Sequence, residues 1–235
     1  MHYFRVGVTL RPLGIIFDFD GVIADTEPLH LQAFQRALGN GGLLLERETY
    51  YDRYLGFDDI GVFTALAADS GITLGQVTLD ELAKSKKNHF FELLTTDNVL
   101  FPNARSCIEQ LSSDFALGIA SGALHHEIDL TLRQAGLQNY FTGIVAADDV
   151  ERPKPAPDSY VQAVELLVND LGQQEQSSPS RFVAIEDSQW GIDAAIAAGL
   201  PCIAVTHTYS AKELAGADCV IADLSCIDYE FLENL

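Results

Sequence analysis

Two aspartates that follow the first apolar run of the chain are the residues best suited to chemistry. The segment FDFDG places Asp18 and Asp20 two residues apart, so that both side chains lie on the same side of an extended chain. On its own, such a pair is more often a solvated strand end with a turn at Gly21. The pair becomes informative only through the polar groups that the fold brings to the same place.

A second acidic cluster, Glu186-Asp187, ends the apolar run RFVAI. In open α/β sheets, ligands bind in the crevice at the carboxyl ends of the strands where the strand order reverses. If the two strands are neighbours, four carboxylates converge there and repel one another unless a cation neutralises them. Hard oxygen ligands in this number suit Mg²⁺, so the pattern predicts a magnesium cofactor.

Two further segments offer what a phosphoryl group needs, namely hydrogen-bond donors and positive charge. Ser121 and Gly122 follow the run FALGIA and provide a hydroxyl and an unobstructed backbone. Lys154 lies between two prolines, which stiffen the backbone that carries its point charge. Judged singly, the first pair is more often a helix-start turn and the lysine a solvated loop charge.

The elements that must position these residues are short apolar runs that alternate with helical patterns. This alternation is typical of βαβ units and predicts an α/β fold with a parallel sheet buried on both faces. Helix-start signals include Ser188 and the pair Ser210 and Glu213, which has capping-box spacing. The predicted strands are LGIIF at 13–17, FALGIA at 115–120, GIVA at 143–146, RFVAI at 181–185, CIAV at 202–205 and CVIA at 219–222.

One region breaks the alternation, because helical patterns without a clear strand separate the first two predicted strands. The predicted helices there are 28–39, 46–54, 58–70 and 78–95, the last with Thr78 and Glu81 as a capping box. We therefore expect residues 28–96 to form an inserted helical domain, and residues 1–27 and 97–235 to form the core. Because both ends return to the sheet, the insert can move as a lid over the ends of the strands.

In chain order, the segments DFDGV, SG, K and EDS resemble the four-part signature of the haloacid dehalogenase superfamily. The longer segments DFDGVIADTEPLH and IEDSQWGIDAAIAAGLP are similar to the branch that holds β-phosphoglucomutase and its phosphatase relatives. The resemblance covers nearly the whole chain and implies a Rossmann-like core with a helical cap between the first two motifs. About a dozen residues precede the usual first strand, which leaves the role of the extension from Met1 to Leu13 open.

The resemblance also implies a role for each motif residue in a phosphatase that acts through an aspartyl-phosphate. Asp18 is the implied nucleophile and Asp20 the general acid and base. Mg²⁺ would be held by Asp187 and Glu186, by the Asp18 side chain and by the Asp20 backbone carbonyl. The implied phosphate-binding residues are Ser121, Gly122 and Lys154, and the implied partner is a small phosphate ester.

Three other functions remain to be weighed against a phosphatase. A hexose-phosphate mutase would use the same intermediate, but the cap arginine that grips a second phosphate in those enzymes aligns with Asp59 here, and a carboxylate repels phosphate. Lys86 aligns with a second cap cation of the mutases, so contacts of Lys86 and His30 with substrate stay open. A non-catalytic module is disfavoured because all four motifs are intact. Dehalogenation is remote because halide departs without the proton that Asp20 would supply.

Composition narrows the classes of partner and the compartment. The 235 residues include 48% hydrophobic and 20% charged residues, as in an ordinary globular protein. A formal net charge of -20 would repel nucleic acid and anionic membranes. Four cysteines at unrelated spacings fit neither a disulfide framework nor a zinc site. We expect a cytoplasmic protein, and the sequence leaves its oligomeric state open.

Overall fold

The computed structural model describes residues 12–39, 42–172, 178–233 and 235. The N-terminal extension up to residue 11, and residues 173–177 of a polar stretch between a helical and a strand-like segment, lie outside this part of the chain. No helix among the described residues is both long enough and apolar enough to cross a membrane.

A six-stranded sheet with the order β3-β2-β1-β4-β5-β6 forms the framework of the site. Every neighbouring pair in this sheet is parallel. All six predicted runs form strands, and the predicted α/β class is confirmed. The strands are β1 (Gly14–Phe17), β2 (Ala116–Ala120), β3 (Gly143–Val145), β4 (Phe182–Glu186), β5 (Cys202–Val205) and β6 (Cys219–Ile221).

The central strands are buried along their whole length because they are covered on both faces, and all their residues except Glu186 are apolar or glycine. Every residue of β1, β4 and β5 is buried, which is the pattern of a parallel sheet between helical layers. Ser188 caps one of these helices as predicted, since its side chain accepts a hydrogen bond from the Gly191 amide. The described helices of this unit are α5 (Ala104–Leu111), α6 (His125–Gln134), α7 (Asp158–Leu171), α8 (Gln189–Ala197) and α9 (Tyr229–Glu233).

The predicted helix start at Ser210 is wrong. The amide and hydroxyl of Ser210 do donate to the Glu213 carboxylate, at 2.9 and 2.6 Å. The following residues form turns and no helix. Only five residues separate Ser210 from Gly216, and so short a segment cannot offset the entropy of starting a helix.

Residues Thr26–Asn98 form a second compact unit, and the chain before and after them forms the first. The two chain segments that flank the insert lie together in the first unit, where Ala24 and Leu100 form an antiparallel bridge. The Asp25 amide donates to the Val99 carbonyl at 2.7 Å. The chain therefore leaves the first unit and returns to it at one place.

The insert has a hydrophobic core of its own, which includes Phe34, Tyr50 and Phe63. Its longest helix begins at Gln76 after Gly75, without a side-chain cap, so the predicted capping box at Thr78 and Glu81 is wrong. Both of those residues lie inside the helix. The helices of this unit are α1 (Glu27–Leu38), α2 (Arg47–Thr49) followed by a π-helical turn (Tyr50–Tyr54), α3 (Asp59–Asp69) and α4 (Gln76–Thr96).

Candidate active site

The first strand delivers Asp18 to the carboxyl edge of the sheet. Phe17 is in register with Ile119 of β2 and with Ile185 of β4, and the Asp18 amide donates to the Ile185 carbonyl at 2.8 Å. Asp18 is only 7% exposed. Its carboxylate therefore lies at the junction of the two halves of the sheet, where α/β folds bind their ligands.

The acidic residues after β4 meet Asp18 at this edge. Asp18, Glu186 and Asp187 are buried, and each offers a carboxylate oxygen within 4.8 Å of the others. Of the four carboxylates expected to converge at this edge, these three lie together. The Asp20 side chain is not part of this group among the described residues; Asp20 instead opens a tight turn in which it pairs with Ala24.

Lys154 places a positive charge against two of the three carboxylates. Its Nζ lies 2.8 Å from Asp18 Oδ1 and 2.5 Å from Glu186 Oε1, and 4.9 Å from the centre of the Tyr160 ring. Burial alone would lower the pKa of Lys154, but the two carboxylates raise it above its ordinary value. The two carboxylates therefore favour the positively charged form of Lys154.

Glu186 is fully buried and surrounded by donors. Glu186 Oε1 accepts hydrogen bonds from Lys154 Nζ and from the Tyr160 hydroxyl. The distance from the Tyr160 hydroxyl oxygen to Oε1 is 2.9 Å. The other carboxylate oxygen accepts from the Asp187 amide and from the amide and hydroxyl of Ser188. These five donors meet a group that has about four lone-pair directions, so Glu186 is saturated by protein contacts.

The remaining carboxylates carry charge at an electrostatic cost. Burial raises the pKa of Asp18 to about 6, although Lys154 opposes this shift. Burial, followed by the charges of Glu186 and Asp18, raises the pKa of Asp187 well above its ordinary value. Three buried carboxylates beside one lysine ionise more easily with a further cation between them, and hard oxygen donors of this kind suit Mg²⁺. The residues present therefore fit the predicted metal.

Two glycines allow the carboxylates to approach the backbone this closely. Gly21 has a φ of +78°, and a Cβ there would lie 1.9 Å from Asp187 Oδ2. At Gly191 a Cβ would lie 1.8 Å from Glu186 Oε1. Both glycines belong to the quoted motifs, yet their contacts with these carboxylates were not foreseen, because spacing along the chain says nothing about what faces a missing side chain.

Ser121 and Gly122 follow β2, at the same edge of the sheet. Ser121 is 2% exposed, and its hydroxyl oxygen accepts from the Ala123 amide at 3.0 Å. The hydroxyl proton is thus directed away from that amide. A Cβ built on the exposed Gly122 would have no neighbour within 4 Å, so this position has room for a ligand oxygen.

Tyr160 is a member of the site that the sequence analysis missed. It lies in α7 and is fully buried. Its hydroxyl donates to the Glu186 carboxylate, and the Lys154 ammonium lies over its ring. The signal was present only as a tyrosine six residues after Lys154. Such a spacing has no meaning until α7 is known to pack beneath the lysine.

We expect Tyr160→Phe to lower kcat/KM about tenfold, because Glu186 and hence Lys154 lose one fixed contact. The free energy of unfolding should fall by about 1.5 to 3 kcal/mol, the range for a hydrogen bond to a charged group. Steady-state kinetics and urea denaturation test both values. Tyr140→Phe, a change of the same kind outside the site, is the control. Unchanged kinetics in Tyr160→Phe would contradict this role.

The parallel strand order, with carboxylates and a lysine at the switch point, defines the class of protein: an open-sheet α/β protein with a ligand site at the carboxyl edge of its strands. The sequence matches the family of haloacid dehalogenase-like hydrolases over residues 15–205. The chain belongs to this family. This confirms the resemblance to the haloacid dehalogenase superfamily and the prediction that the chain is a hydrolase of that type.

Relatives and solved structures agree with this placement. Fructose-1-phosphate phosphatase YqaB of Escherichia coli (strain K12) is 32% identical over 83% of this chain and 97% of its own. A phosphorylated carbohydrates phosphatase of Thermotoga maritima is 29% identical, over 83% and 85% respectively. The structure of CbbY from Rhodobacter sphaeroides with xylulose-(1,5)bisphosphate has a TM-score of 0.75 at 26% identity, covering 91% and 95%.

Proposed function

We propose that this chain is a Mg²⁺-dependent phosphatase that hydrolyses a small sugar phosphate through an aspartyl-phosphate on Asp18. The observation that carries the proposal is the contact between Asp18 and Lys154 at the switch point of the sheet. A carboxylate beside a fixed cation, at a ligand-binding edge, suits nucleophilic attack on an anionic phosphorus centre.

In the proposed reaction, an Asp18 oxygen attacks phosphorus in line and the bond to the leaving alkoxide breaks. Asp20 gives its proton to that alkoxide, and then takes a proton from the water that opens the aspartyl-phosphate. Lys154 and the Ser121 hydroxyl bind the phosphate oxygens, with the Gly122 backbone beside them. The products are the free alcohol and inorganic phosphate.

The metal would be held by the side chains of Asp18 and Asp187 and by the backbone carbonyl of Asp20. When bound, Mg²⁺ supplies positive charge that offsets the repulsion between a phosphate dianion and the site carboxylates. Glu186 was also predicted as a ligand. Because its oxygens already accept five hydrogen bonds, we infer that it holds Lys154 in place and takes part in the metal site through that contact.

The substrate class rests on the relatives. Two of them are named for fructose 1-phosphate and for phosphorylated carbohydrates, and a third protein was crystallised with a sugar bisphosphate. We extend the sugar phosphate class to this chain, in which Lys154, Ser121 and Gly122 would bind the phosphate end of such a molecule.

The insert favours hydrolysis over the mutase alternative. A mutase must retain a second phosphate, which requires a free cation. In the insert, Lys86 Nζ lies 2.7 Å from Asp59 Oδ1 and 2.7 Å from His30 Nδ1. Burial and the lysine charge keep the pKa of His30 well below its ordinary value, so His30 is neutral. The charge of Lys86 is therefore already balanced by Asp59.

The test is a Mg²⁺-supported assay of sugar phosphates that follows two products side by side. With β-glucose 1-phosphate and a catalytic amount of the corresponding bisphosphate, we expect inorganic phosphate to form faster than glucose 6-phosphate. Excess chelator should reduce the rate at least about a hundredfold, and added Mg²⁺ should restore it. Glucose 6-phosphate as the faster product would favour the mutase, and full activity after exhaustive chelation would refute the metal requirement.

A further inference from the structure

The loop that follows β5 contacts both sides of the candidate metal site. It comprises residues 206–210, and its first amide, that of Thr206, donates to the Ile221 carbonyl at 3.1 Å. Strand β5 lies beside β4, so this loop starts next to the acidic residues that end β4. None of the four family motifs includes it.

His207 fixes the turn that follows Asp20. Its Nδ1 lies 2.9 Å from the Gly21 carbonyl oxygen, and a carbonyl can only accept, so Nδ1 carries a proton and donates. The imidazole ring stacks on Phe101, with centroids 4.0 Å apart and planes 20° from parallel. Two contacts therefore hold the ring, and the ring holds the backbone next to Asp20.

Thr208, the next residue, reaches the opposite side of the site. Its hydroxyl adjoins the Asp187 carboxylate at the turn, since Asp187 Oδ2 would lie 1.9 Å from a Cβ built on Gly21. The same hydroxyl oxygen would lie 2.8 Å from a Cβ built on Gly21, so Thr208, Asp187 and the turn after Asp20 are mutually in contact. A hydroxyl can donate to a carboxylate oxygen, so the Thr208 hydroxyl is placed to restrict rotation of the Asp187 carboxylate.

We propose that Thr208 is a positioning residue that orients the Asp187 carboxylate for the divalent cation, while His207 fixes the turn that carries the Asp20 carbonyl. This inference rests on the proposed use of Mg²⁺. Groups that hydrogen-bond metal-binding carboxylates fix the orientation of those ligands, and their loss typically lowers metal affinity ten- to a hundredfold. One short loop would then align two of the three groups proposed to hold the metal.

The experiment measures Mg²⁺ binding directly by isothermal titration calorimetry, beside the Mg²⁺ dependence of turnover. Thr208→Val keeps the shape of the side chain and removes the hydroxyl, whereas Thr208→Ser keeps the hydroxyl. Thr206→Val is the matched control, because the Thr206 hydroxyl lies in the same loop but points to the Ala222 carbonyl, 3.4 Å away. Asp187→Asn is the reference for loss of a proposed ligand.

We expect Thr208→Val to weaken Mg²⁺ binding, and to raise the Mg²⁺ concentration for half-maximal turnover, by about tenfold or more. At saturating Mg²⁺ its kcat should approach that of the wild type. Thr208→Ser should bind Mg²⁺ within about threefold of the wild type, and Thr206→Val should be unchanged. A purely structural role would lower kcat or stability without this shift in Mg²⁺ affinity.

Wild-type Mg²⁺ affinity in Thr208→Val, with Asp187→Asn impaired, would overturn the positioning role and leave the proposed metal site intact. Absence of Mg²⁺ binding by the wild type would overturn both. If Thr208→Val does not fold, Thr208→Ala removes the same hydroxyl without adding bulk. Because Thr208 is only partly buried, wild-type affinity in that variant would equally refute the proposal.

Discussion

Turnover by an Asp18→Asn variant should fall by about 10⁴-fold or more in kcat, because an amide cannot form the acyl-phosphate and covalent catalysis is lost. The fold should persist, since the amide occupies the same volume at the edge of the sheet and Lys154 keeps its contact with Glu186. Single-turnover phosphate release and circular dichroism measure the two properties. Asp170→Asn, at an exposed helical position, is the control and should be fully active.

A pure, folded Asp18→Asn protein that retained more than about a hundredth of the wild-type kcat would contradict the nucleophile assignment, since losing covalent catalysis should cost several factors of ten. Contaminating wild-type enzyme is the usual source of a small residual activity in such a variant. Titration of the active sites with a slowly hydrolysed substrate analogue gives the fraction of active enzyme. It therefore distinguishes contaminating wild-type enzyme from activity of the variant itself.

The same variant tests the electrostatics of the site through stability. In the folded chain the pKa of Asp18 is about 6, raised from an ordinary value of 3.8 chiefly by burial. The ionised form is therefore disfavoured in the folded state, and stability is lost as pH rises from about 4 to about 6. The loss at neutral pH is on the order of 3 kcal/mol.

In the presence of chelator, Asp18→Asn should consequently melt above the wild type at pH 7.5. The difference should shrink as pH falls through 6 and vanish below about pH 3, where the carboxyl is neutral in the folded and the unfolded state. Thermal melts across this range measure the difference. A melting temperature below that of the wild type at pH 7.5 would mean that Asp18 is stabilised as an anion.

The parts of the fold that follow from local pattern were accessible from the sequence. Each strand is a short apolar run between turn signals, and burial on both faces leaves the same signature in the residues of β1 and β5. Helix starts were less secure. The capping boxes at Thr78 and Ser210 failed because hydrogen-bonding residue types recur by chance, and only the surrounding packing decides where a helix begins.

The site was accessible only as far as strand order could be inferred. The meeting of Asp18 with Glu186 follows once β1 and β4 are neighbours. The contacts that complete it join residues far apart in the chain and depend on helix packing and side-chain rotamers. Examples are the Tyr160 hydroxyl on Glu186 and the pairing of Lys86 with Asp59. Residue spacing carries no trace of such contacts.

Lys154→Met should be the most damaging change for stability and activity together. The lysine touches two buried carboxylates, at 2.8 and 2.5 Å, and without it Asp18 and Glu186 face each other with no cation between them. Removing one partner of a buried ion pair typically costs about 3 to 5 kcal/mol. We also expect kcat to fall about 10³-fold, because the phosphate loses its fixed counter-charge.

A double variant separates these two effects. Adding Glu186→Gln to Lys154→Met removes one of the stranded charges, so the free energy of unfolding should recover by at least about 1 kcal/mol, as measured by urea denaturation. Activity should stay as low as in the single variant, because the cation that binds phosphate is still missing. Lys212→Met, at an exposed position, controls for loss of a lysine. Recovery of both stability and kcat in the double variant would show that Lys154 serves only to neutralise Glu186, and would remove it from the proposed phosphate site.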